Sequence, residues 1–326
     1  MAEYTAKLLS AEDYKGFEIL YNDFRNRAVS DYGFELEPLE YNDFLDAIGK
    51  NLISCLVLYE NGIPCAFLVY TVMISEALEL NIIHTMSMED QLIRARHLLE
   101  KFMELTKNVR KDKVVCYPML GEQKTLIGEA ARFGFKFVGI TVLRFMMNGT
   151  NSVEILNMNK NRSLPTCYDV IPWDDKYFDQ AVQVVNEAFK TSADALFDPR
   201  FTTMEGTFDI LNKITKDIYA EFLPEYTSIL MCDHYPVGFC FMNIASNIAN
   251  IPIVAIKKEH QGRGLSKVML KHSMDAVIED VSKGKSSIVE VNTCTETNNF
   301  QALKLYRNLG FKEDYSYPQS YLPVKR

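Results

Sequence analysis

Apolar positions along this chain recur with two periods, and the switches between them mark out its elements. Thr5 to Leu9 alternates as a strand. From Ala11 to Val29 the side chains of Phe17, Leu20, Tyr21 and Phe24 fall three and four apart, the spacing of one helix face. Glu40 to Ile48 predicts a second, short helix. Cys55 to Tyr59 and Pro64 to Met73 are apolar runs on either side of Asn61-Gly62, which predicts a β-hairpin. A strand from Leu78 to Ile83, an amphipathic helix from Glu89 to Lys107, a strand from Val114 to Tyr117 and a helix from Gln123 to Phe133 follow. Gly134 stops that helix, and Phe135 to Met147 supplies one or two closing strands.

From residue 149 to 166 the periodicity lapses into Asn, Ser, Thr and Lys, which predicts a linker. Beyond it the same order of elements returns. Tyr168 to Ile171 is a strand, and Lys176 to Phe189 and Thr203 to Tyr219 are helices. Ser228 to Cys232 and Pro236 to Asn243 form a hairpin, and Ile251 to Ile256 is a strand. A helix from Leu265 to Val281, a strand from Ser287 to Asn292, a helix from Asn299 to Asn308 and a closing segment from Phe311 to Leu322 complete the series. Each series ends on the same tripeptide, Gly134-Phe135-Lys136 and Gly310-Phe311-Lys312. Matched order and matched ends predict two copies of one fold: a domain over 1–148, a linker over 149–166 and a second domain over 167–326.

The copies differ where chemistry would sit. In the second, the strand ending at Ile256 runs through Lys257-Lys258-Glu259-His260 into Gln261-Gly262-Arg263-Gly264-Leu265-Ser266 and then a helix. The first amides of a helix have no intrahelical partner, and the helix dipole favours negative charge there. Glycines let backbone approach a bulky anion. A strand-to-helix turn can also carry glycine for steric reasons alone. Downstream, Asn299 stands where a helix cap would, Ala302, Leu305 and Leu309 share a face, and Gly310 ends the helix. By itself that is a capped amphipathic helix with Tyr306 as half-buried packing.

Together the two motifs resemble the GCN5-related N-acetyltransferases (GNAT superfamily): Gln261-x-x-Gly264-x-Ser266 after a strand, then Asn299-x-x-Ala302-x-x-Leu305-Tyr306-x-x-x-Gly310-Phe311. Ser266 departs from the family, which usually has Gly or Ala there. The resemblance implies an α/β (α+β) chain of two GNAT-like domains, each a mixed, mostly antiparallel sheet flanked by helices. It implies acetyl-CoA (or another acyl-CoA) as co-substrate and no metal. Backbone of Val254 and Ile256 would pair with the pantetheine arm. Gln261, Gly262, Arg263, Gly264, Leu265 and Ser266 would hold the diphosphate, with charge from Arg263 or Lys267, and Asn299 would contact the arm. Tyr306 would protonate the leaving thiolate, and the Ile256 N–H would polarise the carbonyl. A tyrosine of ordinary pKa, ~10, is protonated at neutral pH, as an acid must be. Glu290, on the strand beside the cleft, is the candidate base; a salt-bridged strand carboxylate is the alternative, and a water chain could do the same work.

At the matching place the first copy reads Met86-Ser87-Met88-Glu89-Asp90-Gln91, with no glycine and two carboxylates. Ala130 stands four before Gly134, where the second copy has Tyr306 four before Gly310. The first domain therefore reads as a degenerate partner, and the second as catalytic. Pro252 suits a strand whose pairing is interrupted.

Composition narrows the rest. The net charge of −8 argues against a nucleic-acid surface, which needs a basic stripe. No run is long enough to span a bilayer, and the N-terminus carries no targeting pattern, so a cytoplasmic location is expected. Seven cysteines without close pairs predict reduced thiols rather than a metal site. Three function classes remain. The first is an N-acyltransferase acting on a primary amine of a small molecule or peptide. The second is a non-catalytic acyl-CoA sensor. A Rossmann-type nucleotide site is disfavoured, because no ribose-binding acid is evident.

Overall fold

The computed structural model describes residues 3–34, 37–72, 77–147 and 167–324. The expected linker, 149–166, lies outside the described residues. Within the described residues the chain forms two compact units. One comprises residues 1–139, 196–198 and 317–326; the other comprises residues 140–195 and 199–316.

In the first unit, β1 (Tyr4–Leu8), β2 (Ser54–Glu60), β3 (Ile63–Thr71), β4 (Leu78–Thr85) and β5 (Val115–Pro118) lie side by side in that order. The hairpin turn is as expected: Asn61 and Gly62 take φ of 50° and 83°, the pair of left-handed residues that a two-residue turn needs. Helices α1 (Tyr14–Arg27) and α2 (Tyr41–Gly49) cover one face, and α3 (Gln91–Leu105) and α4 (Ile127–Arg132) the other. Phe17, Leu20, Tyr21 and Phe24, the predicted stripe of α1, are all buried. The predicted helix from Gln123 begins instead as a 3-10 turn over Gly121–Leu126. An imidazole is among the polar side chains sunk in this unit. His84 is fully buried, with the Tyr32 hydroxyl 2.9 Å from Nδ1 and Asp23 Oδ2 2.9 Å from Nε2. Burial lowers its pKa to about 3, and the nearby Arg27 guanidinium pushes the same way.

The second unit repeats the plan with β6 (Lys136–Met146, from residue 140 on), β7 (Tyr168–Pro172), α5 (Phe178–Phe189), α6 (Asp194–Phe197, to residue 195), α7 (Met204–Thr215), β8 (Glu221–Phe222), β9 (Ser228–Cys232), β10 (Tyr235–Ala245), β11 (Ile248–Ile256), α8 (Leu265–Ser282), β12 (Glu290–Glu296), α9 (Phe300–Arg307) and β13 (Lys312–Leu322, to residue 316). The sheet order is β6-β12-β11-β10-β9-β7, with β8 on β10. In each unit one pair is parallel, β4 with β5 and β11 with β12; the other pairs are antiparallel. This is the mixed, mostly antiparallel architecture expected. The helix ends repeat as well. Phe135 N–H donates to Ala130 C=O, and Phe311 N–H donates to Tyr306 C=O, so Ala130 and Tyr306 hold equivalent places.

The closing strands depart from the sequence reading. The segment from Phe135 to Met147 was expected to close the first domain. Instead, residues 140–146 pair antiparallel with β12 in the second unit. The place beside β5 is taken by the far end of β13, Leu322 opposite Val115 through Gln319 opposite Pro118. The first unit is thus closed by a strand from beyond its contiguous sequence, and the second by residues that precede its expected start at 167. The β12 strand also starts later than predicted, at Glu290 rather than Ser287.

Candidate active site

The site begins with a break in a sheet. β11 and β12 pair only at Ile248–Glu290, Ala249–Val291 and Asn250–Asn292. Beyond these, β12 stays with β6 and β11 stays with β10. A bulge explains the parting. Phe241 faces Ile253 and Asn243 faces Asn250, so Met242 alone opposes Ile251 and Pro252. An extra residue bends a strand and increases its twist, and proline has no N–H to give a neighbour. The expectation that Pro252 marks interrupted pairing agrees with this geometry. The apex of the gap is pinned by side chains: Asn250 Nδ2 donates to Asn292 Oδ1 at 2.6 Å, and Thr293 Oγ1 donates to Ile251 C=O at 3.0 Å.

The backbone of β11 faces that gap. Lys257 N–H donates to Val237 C=O at 2.9 Å, which makes Ile256 and its partner Gly238 a non-hydrogen-bonded pair. The N–H and C=O of Ile256 therefore point away from β10, and by the two-residue period so do those of Val254. Gln261 Nε2 holds the Ile256 carbonyl at 2.9 Å. The expected pairing of Ile256 with a ligand is thus narrowed to its N–H, and Gln261 gains a supporting role.

After β11 the chain turns through Gly262 (φ 75°) and Gly264 (φ 76°), and Leu265 opens α8. Left-handed backbone at both positions is the reason for glycine there, and no side chain caps the helix. Arg263 is folded back on the turn, donating from Nη1 to the Tyr168 hydroxyl at 3.0 Å and from Nη2 to Glu259 C=O at 3.1 Å. The same hydroxyl is 2.8 Å from His260 Nδ1. Uncapped amides, two left-handed glycines and a fixed cation suit a diphosphate. Outward N–H groups on β11 suit an extended amide-bearing arm. The residues present fit acyl-CoA.

Tyr306 reaches the same gap from α9. Asn299 caps this helix, its Oδ1 accepting from Ala302 N–H at 3.1 Å. The Tyr306 ring is buried, and its hydroxyl receives a long contact from Thr293 Oγ1 at 3.5 Å. Burial raises its pKa, and the Thr293 hydroxyl offsets this in part. Tyr306 is therefore neutral at any physiological pH. Glu290 is placed elsewhere. It is the first residue of β12, buried, with Oε1 2.8 Å from Arg144 Nη1, and Arg144 also meets Asp314 at 2.8 Å. It precedes the parting and is held by an ion pair, an arrangement better suited to stabilising the sheet than to taking a proton.

The first unit shows what closing such a gap requires. β4 and β5 pair only at Leu78–Val115 and Glu79–Cys116, so they part as well. There Gln123 fills the space: its Oε1 accepts from Ile83 N–H at 3.1 Å and its Nε2 donates to Ile83 C=O at 2.9 Å. Tyr117 donates to the same Oε1. One side-chain amide does for Ile83 what a neighbouring strand would do. Helix α3 starts after Glu89 and Asp90 with no left-handed glycine before it.

Residues 225–313 match the family profile described as an acetyltransferase (GNAT) domain. The second unit carries a GNAT domain. The fold extends the likeness over the whole chain. A GCN5-related N-acetyltransferase from Sphaerobacter thermophilus superposes with a TM-score of 0.62 at 15% identity, covering 99% of this chain and 96% of that one. A tandem GNAT protein from the clavulanic acid biosynthesis pathway gives 0.56 at 12% identity, covering 99% of both chains. A GNAT-family acetyltransferase from Colwellia psychrerythraea gives 0.50 at 10%, covering 97% and 98%. These identities speak for fold, and the fold is that of two GNAT-like domains. A search of curated protein sequences found no match. Among the described residues no cluster could hold a metal ion, and no helix is long and apolar enough to cross a membrane.

Proposed function

We propose that the second unit is an acyl-CoA-dependent N-acyltransferase, moving acetyl from acetyl-CoA to a primary amine of a small molecule or peptide by direct attack. The GNAT domain supports acyl transfer from acyl-CoA in general. The observation that carries the finer reading is the parted β11–β12 pair, with the outward Ile256 N–H on one side and the Tyr306 hydroxyl at its apex.

Bound acyl-CoA supplies the activated thioester carbonyl. The chain supplies the rest. Amides from Gly262 to Ser266, with Arg263, hold the diphosphate at the start of α8. Val254 and the N–H of Ile256 continue the β11 edge as an added strand would, and the Ile256 N–H is the donor for the developing oxyanion. Tyr306 gives its proton to the departing thiolate. Its raised pKa keeps the proton in place until then, and the same burial makes a thiolate more basic, so the transfer is matched. Glu290 is left out of the mechanism because Arg144 already holds its carboxylate.

Replacing Tyr306 with Phe tests the reading. Acetyl-CoA should bind with unchanged affinity by calorimetry, while thiol release with an amine acceptor falls about 100-fold, the low end for losing a general acid. Unchanged turnover would remove Tyr306 from the role. Tight acetyl-CoA binding with no thiol release across a broad amine panel would favour the sensor instead.

A further inference from the structure

An arginine serves an anion best when its charge is not already cancelled and its side chain is already in place. The first condition separates the described arginines of the second unit. Arg144 meets Glu290 and Asp314, Arg200 meets Asp209, and Arg307 meets Glu313. Among the described residues Arg263 has no carboxylate partner. Neutral oxygens hold it instead: the Tyr168 hydroxyl accepts from Nη1 at 3.0 Å and the Glu259 carbonyl accepts from Nη2 at 3.1 Å. A guanidinium has five N–H donors, so most of them are left, and the side chain is exposed beside the two left-handed glycines.

The second condition is met by a rigid post. Tyr168 opens β7, opposite Cys232 on β9. Its ring is buried in the core that also takes Leu265, the first residue of α8. His260 stands edge-on to that ring, with centroids 5.7 Å apart and planes at 89°, and its Nδ1 is 2.8 Å from the hydroxyl. A guanidinium can only donate, so the Tyr168 oxygen is the acceptor toward Arg263. Its own proton is then free for His260 Nδ1, which turns the oxygen lone pairs toward Arg263. The Cys232 thiol also meets the Tyr168 side chain, but sulfur is the weaker acceptor. Burial raises the Tyr168 pKa against the pull of Arg263, so the hydroxyl keeps its proton. This post stands 95 positions before Arg263, outside both sequence motifs.

We propose, resting on the acyltransferase reading above, that Tyr168 is a positioning residue for acyl-CoA. Its hydroxyl, oriented by His260, holds the uncancelled charge of Arg263 at the start of α8, so that the diphosphate meets a cation already in place. Fixing an arginine removes much rotamer freedom. Here that loss is incurred when the chain folds rather than when the ligand arrives, which is how preorganisation raises affinity. Tyr168 touches neither the ligand nor the reacting atoms; it acts through Arg263.

Three ligands and two variants of the full chain test it. Acetyl-CoA carries the diphosphate and a ribose phosphate, acetyl-dephospho-CoA carries the diphosphate alone, and S-acetylpantetheine carries neither. Tyr168→Phe removes the hydroxyl and keeps the ring. By calorimetry its affinity for acetyl-CoA and for acetyl-dephospho-CoA should each fall about 10-fold, while kcat/KM for thiol release from S-acetylpantetheine should fall much less. Because the hydroxyl acts through Arg263, Tyr168→Phe in an Arg263→Gln background should weaken acetyl-CoA binding little further. Losses that add in full overturn the proposal. So does an acetyl-CoA affinity that Tyr168→Phe leaves level, or an equal loss with all three ligands, the mark of a merely structural role. A loss confined to acetyl-CoA and absent with acetyl-dephospho-CoA overturns the diphosphate as the group held. If no amine is acylated but the binding losses appear and vanish with Arg263 as expected, the acyltransferase reading fails while the role of Tyr168 stands. If amines are acylated and the losses add, the reverse holds.

Discussion

Replacing Gln123 with Leu should unfold the first unit far more readily than its conservative size suggests. The leucine fills much of the same volume, so little cavity is created. What it removes is an amide that serves three buried groups: the N–H and C=O of Ile83 and the hydroxyl of Tyr117. Gln123 is 1% exposed, and Tyr117 is fully buried, so water does not replace it at the apolar leucine. An orphaned buried polar group costs about 1–3 kcal/mol, which puts the substitution at about 3–9 kcal/mol for the three, a large share of the about 5–15 kcal/mol that holds a typical domain. The assay must separate the units. Trp173 is the sole tryptophan and belongs to the second unit, so its fluorescence reports that unit, while hydrogen exchange of the β4 amides reports the first. Exchange at β4 should accelerate at least 100-fold, which corresponds to about 2.7 kcal/mol, with the Trp173 transition shifted less. A Gln123→Leu protein whose β4 exchange stays within tenfold of the parent would refute the view that this amide stands in for a strand.

Other outcomes follow from the same structure. Gly264→Glu adds a carboxylate to the cradle and a side chain at φ 76°, a strain of about 1–2 kcal/mol; acetyl-CoA affinity should fall more than tenfold by calorimetry. Glu290→Gln should lower stability, because Arg144 loses a buried partner, yet leave the pH profile of acyl transfer unchanged; a vanished acid limb would return Glu290 to the chemistry. Acid should weaken the first unit through His84. Its folded pKa of about 3 lies below the unfolded value, so below about pH 6.5 the unfolded chain gains a proton that the fold refuses, and stability drops by about 1.4 kcal/mol per pH unit. Asp23, Arg27, Asp31 and Tyr32 surround the imidazole, and only Asp23 and Asp31 favour its charge. If denaturation midpoints stay level from pH 6.5 to 4.5 while those of His84→Gln do not, Asp23 holds an imidazolium instead.

Much of this was legible before any coordinates. The Asn61-Gly62 turn, the cap at Asn299 and the stops at Gly134 and Gly310 are local, set by backbone conformations few residues adopt. The glycine turn before α8 was legible for the same reason. What escaped was non-local. Nothing near Gln123 says that its amide will serve a strand 40 positions earlier. The segments closing the sheets have similar edges, and only the assembled sheets decide that β6 joins β12 while the end of β13 joins β5. Glu290 was open between a base and a salt-bridged strand carboxylate, because its partner Arg144 lies 146 positions away.

The exchanged closing strand bears on how the protein is made. The β5 edge is completed by residues 319–322, which leave the ribosome long after the rest of the first unit. Through most of synthesis that unit therefore presents an open strand edge, and open edges recruit other chains. A nascent chain stalled anywhere in the GNAT domain would carry this exposed edge with it. A premature stop shortly before residue 317 should be felt first in the first unit, as aggregation, while every residue of the second unit is still made.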